Sequence, residues 1–355
     1  MGDGGGARRR LPAQVTSDSE QVLAPSELPE DPPFRHPDRQ HLPGVKLALV
    51  LGAGGLVGIA HHIGVLCALE QELGISESQI DLVVGTSAGS AIAAYLRSGW
   101  TPTDLMDRTG DLASAAPGPL ATGPFDLVRH GIGSAYVLAR ASIRVPSILS
   151  LSPIPSLRRA FPAGLVSMGE GSGILERELP RSWPERDLWL ATYDLVSRRR
   201  VVLGGARAPY VPLPDAVRAS CAIPGVYAPV RAGGSVLVDG GAWSLTNLDL
   251  AALAGARRVI CVAPMSYDTT RPPDSRNRLV REVPSRLLVR DVSRLRRQGV
   301  DVLLLAPGPL EVAVQGVNLM RGTGLPSVAE TAFDETVIAL RTSTQAAAWR
   351  DGLAA

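Results

Sequence analysis

The sequence predicts an α/β fold, with helices layered on a mostly parallel sheet, and three stretches predict it. Residues 45–50 (VKLALV) form an apolar run that ends in turn chemistry, as a buried strand does. A glycine loop follows, then residues 59–73, where Ile63, Val65, Leu66, Leu69 and Leu73 are spaced for a buried helix face. Residues 81–84 (DLVV), a turn, and residues 90–96 (SAIAAYL) repeat the strand-turn-helix pattern. A third short strand, 234–238 (GSVLV), ends in an acid on a glycine turn. Strands that alternate with helices build parallel sheets with helical crossovers.

The first loop reads Gly52-Ala53-Gly54-Gly55-Leu56-Val57-Gly58. A glycine loop between strand and helix offers backbone N–H groups to an anion, either a dinucleotide phosphate or an oxyanion. The dinucleotide fingerprint needs G-x-G-x-x-G and an acid at the end of the next strand. Here Gly52, Gly54 and Gly58 give G-x-G-x-x-x-G, and the next strand ends at Gly85-Thr86 without an acid. The pattern therefore argues against a nucleotide cofactor.

The second turn is Gly85-Thr86-Ser87-Ala88-Gly89, a G-x-S-x-G between strand and helix. That context suits a nucleophile elbow, with Ser87 at a helix N-terminus where N–H groups favour negative charge. An ordinary strand-helix turn is the other reading. A hydrolytic serine needs a base. The histidines are His36, His41, His61, His62 and His130; only His130 follows Ser87, and it comes too early for the usual Ser, Asp, His order. Either Ser87 is not a nucleophile, or its base is a carboxylate. Asp239, followed by Gly240 and Gly241, stands at a strand end where it could face such a site. An Asp-Gly turn joining two strands is the alternative.

These three pieces, in this order, resemble the patatin-like phospholipase family. That family has a glycine-rich oxyanion loop after its first strand, then G-x-S-x-G, then D-G-[GA] far downstream, and a Ser-Asp pair without histidine. The likeness extends to the helix after the glycine loop, to residues 188–195 and 200–203 as a central strand pair, and to 219–229 (ASCAIPGVYAP), similar to the family's A-S-x-A-I-P-G-x-F-x-P. It covers roughly 46–264, with 301–305 as a further strand. Two positions depart from the family pattern G-G-G-x-[RK]-G: Ala53 replaces its first glycine, and Val57 takes the basic position.

The resemblance implies a three-layer α/β/α sandwich with a mostly parallel central sheet. It implies a serine lipid acyl hydrolase that cleaves carboxylic ester bonds of lipids or phospholipids. Ser87 would be the nucleophile and Asp239 the base. Gly54 and Gly55 would supply the oxyanion hole, Gly85 and Gly89 the elbow, and Gly240 and Gly241 the turn that carries the acid. No metal and no organic cofactor is implied. A soluble-ester carboxylesterase is one alternative, and a non-catalytic lipid-binding protein, suggested by Ala53 and Val57, is another.

Composition supports a globular protein. The chain has 355 residues, 45% of them hydrophobic, enough for one large α/β domain with a full core. A net charge of +2 and only 4% aromatic residues argue against a nucleic-acid partner. Residues 1–44, rich in Gly, Pro, Arg and acids, read as a disordered tail without a signal peptide. No run is long and apolar enough to span a membrane. Cys67, Cys221 and Cys261 are odd in number and set in apolar surroundings, as buried free thiols of a cytoplasmic protein are. They have no ligand spacing for a metal.

The expected catalytic domain is 45–320. Within it, 110–173 is an irregular, proline-broken insertion that reads either as a packed subdomain or as a lid over Ser87. Arg286, Arg290, Arg294 and Arg297 recur at spacings of three and four, opposite Leu288, Val292 and Leu295. That basic stripe reads as a solvated face or as a surface for peripheral membrane contact. Residues 321–355 form a helical extension, with a closing helix over 329–350 and no chemistry assigned. The partners implied are a lipid or ester substrate.

Overall fold

The computed structural model describes residues 44–111, 168–224, 226–273 and 275–354. The expected tail, most of the 110–173 insertion, and His36, His41 and His130 lie outside the described residues. Eight strands are described: β1 (Leu47–Leu51), β2 (Leu82–Gly85), β3 (Asp187–Asp194), β4 (Arg199–Leu203), β5 (Val230–Ala232), β6 (Ser235–Asp239), β7 (Arg258–Val262) and β8 (Asp301–Leu305). The helices are α1 (Gly55–Leu73), α2 (Ala88–Arg97), α3 (Pro102–Asp107), α4 (Gly169–Glu178) and α5 (Leu213–Cys221). They continue as α6 (Asp249–Leu253), α7 (Ser275–Arg297), α8 (Pro309–Gln315), α9 (Leu325–Thr342) and α10 (Thr344–Ala354).

Five strands run parallel in the order β3-β2-β1-β7-β8. Both faces are covered, which is why β1 reads as an unbroken apolar run and not as an alternation. Leu47, Leu49 and Leu51 pack into a core with α1, α2, α5, α9 and α10. Ala48 and Val50 face the opposite core, with α6 and α7. The molecule is thus the expected three-layer α/β/α sandwich. Each fully buried Leu of this core contributes about 2 kcal/mol of apolar transfer free energy.

The antiparallel strands determine where the site lies. Residues 192–194 of β3 pair with both β4 and β6, so those two occupy opposite edges of β3. Leu190 pairs with both Leu203 of β4 and Gly85 of β2, so β2 and β4 also lie on opposite edges. β2 and β6 therefore share one edge of β3 and approach each other head to head. β2 ends at Gly85 beside Leu190, and β6 ends at Asp239 beside Thr192. The turns that leave the two strands, one carrying Ser87 and the other Asp239, must meet.

Two elements differ from the sequence expectation. The closing helix is two helices, α9 and α10, broken at Ser343 in an extended conformation. The Ser343 hydroxyl accepts the N–H of Ala346, so the serine caps a new helix and does not continue the old one. Helix α7 begins at Ser275 and runs through Pro284, a residue that normally ends a helix. Ser285, next to the proline, donates to Arg281 O at 2.7 Å and accepts the N–H of Tyr267 at 3.1 Å. Of the cysteines, Cys261 is buried, whereas Cys67 and Cys221 are half-buried; all three are free.

Candidate active site

Ser87 opens α2 at φ 54° and ψ −122°, a backbone region that L-residues with a Cβ rarely occupy. The flanking glycines make the turn sterically feasible. A Cβ on Gly85 would come within 2.6 Å of Ser90 Cα, and one on Gly89 would overlap the carbonyl of Leu51. The elbow is thus pressed against β1, and only glycine fits on either side of the serine.

Three side chains brace the elbow. Ser220, on α5, accepts the Ser87 N–H at 3.0 Å and donates to Ala191 O at 2.8 Å. Ser90 donates to Ser87 O at 2.6 Å. The Asn247 amide donates to Thr86 Oγ1 at 3.1 Å, to Ser244 O at 2.7 Å and to Gly240 O at 3.4 Å. Asn247 so links the serine turn to the Asp239-Gly240-Gly241 turn. It is itself held by Arg200, which donates to Asn247 Oδ1 at 3.1 Å and forms a two-pronged pair with Asp249. Ser220 lies inside the segment 219–229 noted in the sequence. Asn247 carried no sequence signal, because the bond that reaches the serine turn, to Thr86, spans 161 positions of the chain.

The Asp239 carboxylate accepts the Gly241 N–H at 2.7 Å, and the Ser87 side chain lies near enough to favour its ionised form. The Asp239 N–H donates to Ala222 O at 2.9 Å. The Asp-Gly-Gly stretch does not join two strands as a hairpin; Gly240 to Ala242 form a single 3-10 turn. Gly240 must lack a side chain, since a Cβ there would overlap Ala191 O of β3. Ser87 is 7% exposed and Asp239 5%. Burial pushes the Asp239 carboxyl up from 3.8 to about 6, against the opposing influence of the Ser87 side chain and the Gly241 N–H.

The glycine loop lies beside this pair. The Gly52 N–H donates to Val262 O and the Ala53 N–H to Leu245 O, which anchors the loop on β7 and on the segment after the acid. The N–H groups of Gly54 and Gly55 have no acceptor among the described residues. Gly54 is extended, and Pro264 packs so closely that a Cβ on Gly54 would sit 2.8 Å from the proline ring. Gly55, at φ 61°, is the position that needs glycine for its backbone. From below, buried His62 donates through Nε2 to Gly52 O at 2.8 Å. Burial and the neighbouring His61 lower the His62 pKa to about 3, so it remains neutral. His61 is engaged elsewhere, in a buried pair with Glu311. Neither bonds to Ser87.

Cys221 Sγ lies 3.6 Å from Ser90 Oγ. Burial first, and the Asp239 charge second, push its thiol up to about 12, so it stays a thiol at neutral pH. Among the described residues no group of three His, Cys, Asp or Glu side chains could hold a metal ion.

Comparison with known proteins matches residues 49–252 to the patatin-like phospholipase family. An uncharacterised NTE family protein of Mycobacterium tuberculosis is 30% identical over 223 residues, 63% of this chain and 31% of its own length. Human patatin-like phospholipase domain-containing protein 6 is 30% identical over 276 residues, 74% of this chain and 16% of its own. The chain thus spans under a third of the length of these relatives. Among solved structures, VipD from Legionella pneumophila aligns with TM-score 0.39 and 18% identity, covering 84% of this chain and 67% of that one. ExoU, in its complex with SpcU from Pseudomonas aeruginosa, aligns with TM-score 0.32 and 18% identity, covering 84% and 52%.

Proposed function

This chain belongs to the patatin-like phospholipase family, and we propose that it is a serine lipid acyl hydrolase working through a Ser87–Asp239 dyad. The observation that carries this reading is a serine on a strained, positive-φ elbow beside a buried carboxylate. A carboxylate raised to about 6 is ionised at neutral pH yet more basic than an ordinary aspartate, as a general base should be.

In the proposed reaction, Ser87 Oγ attacks the ester carbonyl carbon while its proton passes to Asp239. The carbonyl oxygen becomes an oxyanion and accepts hydrogen bonds from the free N–H groups of Gly54 and Gly55; losing one such donor costs about 3 kcal/mol of transition-state stabilisation. Collapse breaks the bond to the leaving alcohol, which takes the proton from Asp239. Water then attacks the acyl-serine, Asp239 accepts its proton, and the fatty acid leaves as Ser87 is restored. Backbone donors do not require the basic side chain that Val57 replaces; the Val57 N–H is used by Leu319 O instead.

The substrate proposed is a lipid or phospholipid ester, and a peripheral membrane contact is part of the proposal. Leu279, Val280 and Val283 of α7 and Leu310, Val314 and Val317 around α8 are exposed apolar residues. The two elements adjoin where Arg281 reaches Pro264 O at 2.6 Å and Gly316 O at 3.5 Å, on the same edge of the sheet as the glycine loop. Arg286, Arg290, Arg294 and Arg297 continue along the exposed face of α7. Among the described residues no helix is long and apolar enough to cross a membrane. The three free cysteines fit a cytoplasmic setting.

Substitution of Ser87 by Ala tests the reading. It is expected to lower turnover of phospholipid vesicles and of long-chain esters by about a thousandfold or more, with unchanged circular dichroism. Wild-type turnover in the pure variant would remove Ser87 as nucleophile. Hydrolysis confined to short, water-soluble esters would favour the carboxylesterase alternative.

A further inference from the structure

Beyond the dyad and its oxyanion loop, one stretch outside the family match leans on the site. The connection between α8 and α9, residues 316–324, turns back over the glycine loop. Its Leu319 O accepts the Val57 N–H at 3.0 Å. A Cβ on Gly55 would lie 2.5 Å from Leu319 O and 2.7 Å from Met320 Sδ, so Met320 sits directly on the loop that would hold the oxyanion. The same methionine packs against a cluster made by Ala222, Val226 and Tyr227, against which Met168 and Ile223 also pack. Ala222 is the residue whose carbonyl holds the Asp239 N–H. Met320 therefore bridges the two walls of the site, from the glycine loop to the segment that positions the acid.

We propose that this connection is the acyl-side wall of the site, and that Met320 sets the length of fatty acyl chain accepted against Ile223 and Met168. The proposal rests on the hydrolase reading above. An acyl chain leaving a carbonyl seated between Gly54, Gly55 and Ser87 needs an apolar surface beside it, and among the described residues this cluster, through Met320, touches both the glycine loop and the acid's support. Methionine suits the task, because an unbranched thioether with three rotatable bonds can move aside or fill a gap. The connection has the means to hold its shape while Met320 adapts. Arg321 donates to Val314 O at 2.6 Å, Asn318 accepts the Met320 N–H at 3.1 Å, and Leu319 packs with Val57, Ala60 and Leu325.

The test compares kcat/KM for dodecanoyl and butanoyl p-nitrophenyl esters within each variant, so that changes in overall rate cancel. Met320→Ala opens space for about three further methylenes and is expected to raise the long-to-short ratio by about tenfold or more. Met320→Trp fills the space and is expected to lower it by a similar factor. Thermal unfolding identifies the variants that fold, and either one alone carries the test. A ratio that moves by less than about twofold in a folded variant, with wild-type Ser87 labelled by a fluorophosphonate, overturns the wall and leaves the hydrolase standing. Absence of both labelling and hydrolysis in the wild-type protein overturns the hydrolase reading, and the wall with it.

Discussion

Ser87 is held in a conformation that costs about 1–3 kcal/mol, and the surrounding structure compensates through Ser220, Ser90 and the glycines on either side. Asp239 is the second residue kept at a cost. Its folded-state pKa of about 6 lies above the ordinary 3.8, so the fold favours the protonated carboxyl. Stability is then fully present below about pH 4 and falls as pH rises through about 6, where the buried group ionises. Asp239→Asn is accordingly expected to stabilise the protein above pH 7, by at most about 3 kcal/mol, with no gain below pH 4; urea unfolding at both pH values measures this. The same variant should lose about three orders of magnitude in turnover, since an amide cannot take the proton. In the wild-type enzyme, kcat/KM should climb tenfold per pH unit below about 6 and level off above it. A flat profile from pH 4 to 8 would remove Asp239 as the base. Ser87, Asp239 and their glycines were legible in the sequence because the elbow and the acid turn are local motifs. Ser220 and Asn247 act through contacts 133 and 161 positions away in the chain, which no spacing reveals.

The elements follow from equally specific contacts. Gly89 is the point where α2 meets β1, and any side chain there collides with the Leu51 carbonyl. Gly89→Ala should destabilise the fold by about 4 kcal/mol or more, read as a lowered urea midpoint, because backbone and not a flexible side chain must give way. A loss below about 1 kcal/mol would show that the elbow can shift, and with it the geometry claimed for Ser87. Strands β1 and β2 and the first two helices were legible because burial on both faces leaves continuous apolar runs, and glycine marks their ends; β5 and β7 were not singled out. The start of α7 was not, because Pro284 reads as a stop and its compensation, Ser285 bonded to Arg281 O and Tyr267 N, is tertiary. The break between α9 and α10 was missed for the opposite reason: Ser343 looks like one more polar helix residue until its hydroxyl is seen capping Ala346.

At the scale of the molecule, the sheet topology brings the turns that carry Ser87 and Asp239 together. β2 and β6 share an edge of β3 from opposite directions, so a serine 152 residues before its acid meets it over Leu190 to Thr192. The far end of the chain is part of the same body. Trp349 is buried in the core with Leu340 and Ala332, and Arg258 lies 4.1 Å over its ring. His61 of α1 pairs with Glu311 of α8, which ties the helix after the glycine loop to the helix that precedes the connection bearing Met320. The exposed apolar residues of α7 and α8 predict adsorption to lipid. The protein should float with vesicles containing anionic phospholipid, and Leu279→Glu with Val283→Glu should abolish flotation; unchanged flotation would show that another surface docks. The most direct test of the central claim is mass spectrometry of the intact protein after incubation with a fluorophosphonate, beside Ser87→Ala. The dyad predicts a single adduct on Ser87 in the wild-type protein and none in the variant. An unmodified wild-type protein, under conditions that label a control serine hydrolase, would contradict it and leave a lipid-binding protein without an activated serine.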